Sequence, residues 1–429
     1  MDSTVSQFLL LVGVFLIITA LRLPVFLAVI LSTVSYTLIY PHMPDIALVQ
    51  TMLSGLDKPA FAAIPYYFLL GSIMGAGGMT TRLLRLARAL FSWFRGGLAH
   101  VNIGASMLFG GISGSAVADA SAIGSLMIPA MKKDGFPAAY AGAVTASSAS
   151  IGLLIPPSIP MVMFGLFNNV SVGDLFLAGI LPGVLMGIYL SVAAWWTAKR
   201  RQHPQSAWSG WGEVWNALKD SVLVLVLPVL ITVSLYAGIA TPTEVGAAAV
   251  VYTVVVSVFV YKDISLAMLI ETILASATES AQILSIIAVS GGALWIFANM
   301  GAADALIDNV SAFQFSVTQL LYVIAFILVI AGTVVGPGLL MILVIPPFTT
   351  LAVANGIDVL HFAVVAVFAS AVGLVTPPVG ILLFLTASQS GASIMTILKE
   401  MVPFYIALIL LLISLIYFPV LSVGVGQLL

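Results

Sequence analysis

Asp119 is an acid inside "SGSAVADASAIGS", a polar interruption of an apolar run, and an acid at membrane depth is a functional candidate by default. Ser113 and Ser115 set neutral oxygens beside it, and Thr333 does the same in a second interruption, "AGTVVGPG". Two proline pairs, Pro156–Pro157 and Pro377–Pro378, break apolar stretches elsewhere. Each proline lacks a backbone N–H and clashes with the carbonyl one turn earlier, so helix carbonyls are set free. In hydrocarbon such groups are costly unless something meets them. A dehydrated Na⁺ would meet them, since it is a hard cation served by a few carbonyl and hydroxyl oxygens. Asp119 has a second reading, as the carboxylate N-cap of the helix that follows. Other chemistry is poorly provided for. Cysteine is absent, which excludes disulfides, thiol nucleophiles and Cys-ligated metals. The histidines at 42, 100, 203 and 361 show no ligand spacing, and no nucleophile set or HExxH motif points to an intramembrane enzyme.

The elements that must position these residues are membrane helices. Of 429 residues, 61% are hydrophobic and 7% charged, with a mean hydropathy of +1.19. A soluble domain carries about 25% charged residues, so this chain cannot clothe a globular surface. It reads as an all-α polytopic membrane protein. The net charge of −2 gives no pointer to nucleic acid. No cleavable signal peptide is expected, because residues 1–4 lack a positive segment. The apolar pattern predicts spans at 5–21, 24–40 and 59–79, a hairpin at 100–131, a broken helix at 138–170 and a span at 175–198. An interfacial helix bearing Trp208, Trp211 and Trp215 is expected over 202–219. Spans at 221–238, 242–261 and 266–298, a hairpin at 318–355, a broken helix at 357–390 and a span at 400–423 complete the chain.

Charge gives these elements a topology. Arg82, Arg85, Arg88 and Arg95 precede the first hairpin and Lys132–Lys133 follow it. Basic flanks lie on the cytoplasmic side, so a segment basic at both ends has entered and returned. Arg22 reads as a span end snorkelling to the same interface. The N-terminus, with Asp2 and no nearby Lys or Arg, is placed outside. The halves 1–201 and 220–429 then align with opposite orientation. "SASIGLLIPPSIPMVMF" lies over "ASAVGLVTPPVGILLFL" at an offset of 221, and Pro24 faces Pro242. Inverted repeats with interrupted segments at corresponding places are the sequence pointer to a secondary transporter with midplane sites. Glu244 is expected to serve a helix N-terminus, and Glu271 and Glu279 to face a partner or the inner interface.

"SGSAVADASAIGSLMIPAMKKDGFP", "SASIGLLIPPSIPM", "GIATPTEVGAAA" and "VGLVTPPVGILLF" together resemble the large membrane subunit of tripartite ATP-independent periplasmic (TRAP) transporters, over nearly the whole chain. The resemblance implies an elevator-type fold with inverted repeats, two re-entrant hairpins and two proline-broken helices. It implies sodium-driven import of an organic anion across a bacterial or archaeal cytoplasmic membrane. The implied partners are a small four-helix membrane subunit and a periplasmic solute-binding protein; no cofactor beyond Na⁺ is implied. A first sodium site would use Ser113, Gly114, Ser115, Gly152, Ile155 and Pro157, and a second Gly332, Thr333, Gly373, Thr376 and Val379. Substrate would lie between the hairpin tips, near Ser113, Ser115, Asp119, Ser158 and Gly336. Gly336 stands where several family members carry an acid, which bears on the size and chemistry of the cargo. The alternative is a stand-alone sodium-coupled dicarboxylate symporter or exchanger, whose relatives show Ser-Asn-Thr at both tips; no such triplet occurs here.

Overall fold

Proline, glycine and serine cut the apolar sequence into helices, and no strand occurs among the described residues of the computed structural model. These are residues 3–21, 23–40, 45–54, 56–205, 207–301, 305, 307 and 313–428; Asp2, Arg22 and His42 lie outside them. The first half holds α1 (Ser3–Ala20), α2 (Val25–Ile39), α3 (Asp45–Ser54), α4 (Ala63–Ala76) and α5 (Met79–Phe91). The hairpin arms α6 (Gly97–Ser113) and α7 (Ala116–Lys133) come next, then α8 (Ala138–Ala149), α9 (Ile159–Asn168) and α10 (Val172–Arg201). The second half holds α11 (Gly210–Tyr236), α12 (Pro242–Val255) and α13 (Leu266–Asn299). A second hairpin, α14 (Val317–Val334) and α15 (Pro337–Ala354), precedes α16 (Val359–Gly373), α17 (Ile381–Ser390), α18 (Ile394–Tyr417) and α19 (Val420–Leu428). Among the described residues, 8 helices are long and apolar enough to cross a membrane.

Three boundaries differ from the sequence reading. The interfacial helix expected over 202–219 is not separate, because α11 runs unbroken from Gly210 into the first span of the second half. Nothing between Glu213 and Leu227 breaks a helix, and Ala217 and Ser221 bury one face, so the polar stretch simply extends the span. The final span, expected from 400, begins at Ile394, where the Ser393 hydroxyl accepts from Thr396 N–H, so Lys399 lies inside α18. The stretch between the spans expected at 24–40 and 59–79 contains α3.

The centre of the molecule is made of the two helices that lead into the proline breaks. Every residue from Tyr140 to Ala149 in α8, and from His361 to Gly373 in α16, is buried. A helix apolar all round belongs in an interior. Serines in both satisfy themselves on carbonyls one turn back, as Ser147 Oγ does on Ala143 O at 2.9 Å and Ser370 Oγ on Ala366 O at 2.8 Å. The halves interlock beyond each break. α9 packs on the second hairpin and α16, whereas α17 packs on α7 and α8 of the first half.

The amphipathic α5 lies outside this centre with its apolar face covered, and its arginines reach acids of the second half. Arg82 bonds Asp263 at 2.7 Å beneath Tyr261, and Arg85 bonds Glu213 at 2.8 Å and also Asp220.

Candidate functional site

Each hairpin tip sits on a proline break. α6 ends because Gly114 adopts φ +61° and returns its N–H to Gly110 O, and α7 restarts with Ser115 as N-cap. Gly114 O then accepts from Ile159 N–H at 3.3 Å, on the far side of Pro156–Pro157. Contact this close needs glycine: a methyl group on Gly114 would stand 2.5 Å from Pro157 O. Deeper in the hairpin, Gly110 lies against Gly152, where a Gly110 methyl would meet Gly152 Cα at 2.6 Å. The second tip repeats the arrangement. Thr333 O accepts from Gly380 N–H at 3.1 Å beyond Pro377–Pro378, and Gly332 lies against Gly373.

The residues assigned from sequence to the first sodium site therefore gather around one tip and one break. Ser113 is buried, and Ile155 packs its side chain against Gly111 and Gly183. Residues 154–158 run between helices, so the carbonyls of Ile155 and Pro157 lie outside a helical ladder. The second set gathers likewise. Thr376 Oγ1 donates to Val372 O at 2.7 Å and Thr333 Oγ1 to Ile330 O at 2.8 Å, which leaves lone pairs on both hydroxyls. Val379 follows the second proline pair directly and is exposed.

Of the residues assigned to substrate, Ser113, Ser115 and Ser158 share the first tip. Ser158 is fully buried, donates to Leu153 O at 2.5 Å and caps α9 by accepting from Met161 N–H. Gly336 stands on the second tip as the N-cap of α15, with open space where a side chain would be.

Asp119 is not the N-cap of its helix, since Ser115 holds that position and Asp119 lies a turn further in. It is completely buried, and its Oδ1 accepts from Ser106 Oγ at 3.1 Å while Oδ2 has no hydrogen-bond partner among the described residues. Ser106 bonds Ser148 at 3.1 Å, and Asn102 Nδ2 bonds Thr145 Oγ1 at 2.7 Å, so a polar seam runs from the tip between α6 and α8. Sequence reading passed over this seam. Its signal was present, because Asn102 and Ser106 fall four apart in an apolar helix and Thr145 and Ser148 three apart in another.

A second omission is the tie between halves. Gln389 Nε2 donates to Ala120 O at 3.1 Å, and Lys132 Nζ to Ser390 O at 3.0 Å. Glu244 closes a capping box with Thr241, its Oε2 accepting from Thr241 N–H at 2.8 Å.

Comparison with known proteins matches residues 12–421 to the family model described as "Tripartite ATP-independent periplasmic transporter, DctM component". The chain is 35% identical to the Salmonella typhimurium protein YgiK over 418 residues, covering 96% of each chain. It is 32% identical over 449 residues to the C4-dicarboxylate TRAP transporter large permease protein DctM of Vibrio cholerae, covering 98% of this chain and 97% of that one. Among solved structures it is similar to the YdaH transporter of Alcanivorax borkumensis, with a TM-score of 0.59 and 15% identity over 89% of this chain and 88% of the other. At that identity the likeness speaks for the fold.

Proposed function

This chain belongs to the DctM-component family of tripartite ATP-independent periplasmic transporters, and from that premise we propose that it is the transport subunit of a sodium-coupled organic-acid importer. The observation that carries the reading is the pair of docked tips, each bonded by a carbonyl to the second residue past a proline pair. Beside each tip, carbonyls outside the helical ladder and Ser or Thr hydroxyls supply the neutral oxygens that suit Na⁺. Coupling ions bound at both tips would draw an anionic cargo between them, where the N-termini of α7 and α15 also favour negative charge. Ser113, Ser115 and Gly336 would face the cargo, and Asp119 would act from beneath the first tip. A small membrane subunit and a periplasmic binding protein would complete the system in a bacterial inner membrane. The tips and broken helices would move as an elevator against the remaining spans, with the N-terminus outside.

The test is uptake by proteoliposomes containing the chain, its small subunit and its binding protein. A panel of radiolabelled organic acids, C4-dicarboxylates among them, should contain one that accumulates only under an inward Na⁺ gradient. Undiminished uptake when K⁺ replaces Na⁺ would overturn the coupling. Full uptake by the chain alone with free substrate would identify a stand-alone sodium-coupled symporter instead.

A further inference from the structure

A cleft of about 320 Å³ opens where the turn after α5, the C-terminal end of α10 and the following linker meet, lined by Trp93, Phe94, Arg95, Trp195, Lys199 and Gln205. It is a built feature. Gly96 N–H donates to Pro204 O at 3.0 Å, and Gln205 Nε2 to Trp93 O at 2.8 Å, which fastens the linker to the turn. Trp93 stacks on Phe94 with ring centroids 4.3 Å apart and meets Trp208 edge-on at 5.7 Å. All but one of the chain's 7 tryptophans fall on these segments or on the start of α11, and tryptophan concentrates at headgroup level.

The charges in the cleft are uncompensated. Arg82, Arg85 and Arg201 each pair with an acid. Arg95 and Lys199 have no acidic partner among the described residues, and Lys199 Nζ stands 5.2 Å from the Trp195 ring centroid. Two free cations between aromatic walls at the membrane surface complement a phosphodiester that carries hydrocarbon. We propose that this cleft binds the headgroup of an anionic phospholipid, its phosphate between Arg95 and Lys199 and its glycerol and upper acyl carbons along Trp93 and Trp195. A zwitterionic lipid fits worse, because its ammonium meets the same two cations.

The experiment uses the full chain in phosphatidylcholine nanodiscs doped with dibrominated lipid, read as quenching of tryptophan fluorescence. Dibrominated phosphatidylglycerol should quench at a mole fraction roughly thirtyfold lower than dibrominated phosphatidylcholine, since each basic side chain near the surface contributes about fivefold. Arg95→Gln with Lys199→Gln should erase that preference. Arg200→Gln, whose guanidinium lies over Trp196 at 3.9 Å, should keep it. Equal quenching by the two lipids in the unaltered chain overturns the proposal without any variant. So does a preference that survives the double substitution, or one that Arg200→Gln also removes. Relief of quenching by millimolar inorganic phosphate would mean a soluble-anion site in place of a lipid site.

Discussion

A methyl group at Gly373 would stand 2.6 Å from the Gly332 carbonyl carbon, and one at Gly110 equally close to Gly152 Cα; in both cases the obstacle is backbone. Gly373→Ala and Gly110→Ala should lift a tip from its break and destabilise the protein by about 1–3 kcal/mol. Gly75→Ala, where a Cβ meets nothing within 4 Å, should be neutral or mildly stabilising. Thermal melts of the three variants decide, and equal melting temperatures would remove the close-contact account. Asp119 separates shape from charge. Asn can keep the bond from Ser106, so Asp119→Asn should melt within about 2 °C of the parent. Its Na⁺-driven uptake should fall about tenfold, roughly 1.4 kcal/mol, because the substitution replaces the unpartnered Oδ2 beneath the first tip with an amide NH₂. Undiminished uptake would relegate Asp119 to packing.

At the scale of elements, the linker after α10 is held by His203. Its ring lies 4.8 Å from the centroids of both Phe136 and Tyr140, beside the Arg201–Glu400 bridge of 2.6 Å. Burial first, and then the Arg201 charge, hold the His203 pKa below its ordinary value of 6.5. The folded ring thus resists a proton that the unfolded chain accepts. Stability should be level above about pH 6.5 and should fall as pH drops from there through the lowered folded value. His203→Phe should flatten that part of the pH profile of the melting temperature; identical slopes in the two chains would refute the assignment. The breaks and tips were legible in the sequence because proline pairs and Gly-Ser clusters interrupt an apolar run in only one way. The start of α11 was not, since Trp, Glu and Lys at helical spacing describe an interfacial helix and the first turns of a long span equally well. Pairing across helices was also hidden. Nothing in the order of residues says that Asn102 meets Thr145 or that Gln389 meets Ala120.

At the scale of the molecule, the order hairpin, broken helix, span occurs twice, and its orientation can be read with single cysteines in a chain that has none. Arg88→Cys and Asp134→Cys, both at exposed positions, should react with an impermeant maleimide from one face of the membrane. Phe315→Cys and Ala354→Cys, at the two ends of the second hairpin, should react from the other. Labelling of Arg88→Cys and Asp134→Cys from opposite faces would remove the hairpin reading and the inversion with it. Within this frame, α17 bonds to α7 through Gln389 and Lys132, while α9 rests on the second hairpin. The linker after α10 therefore divides the sequence without dividing the folding unit. A gene cut there would yield two fragments, each carrying the missing wall of the other. Neither would mature alone, and the two would be rescued only by being made together.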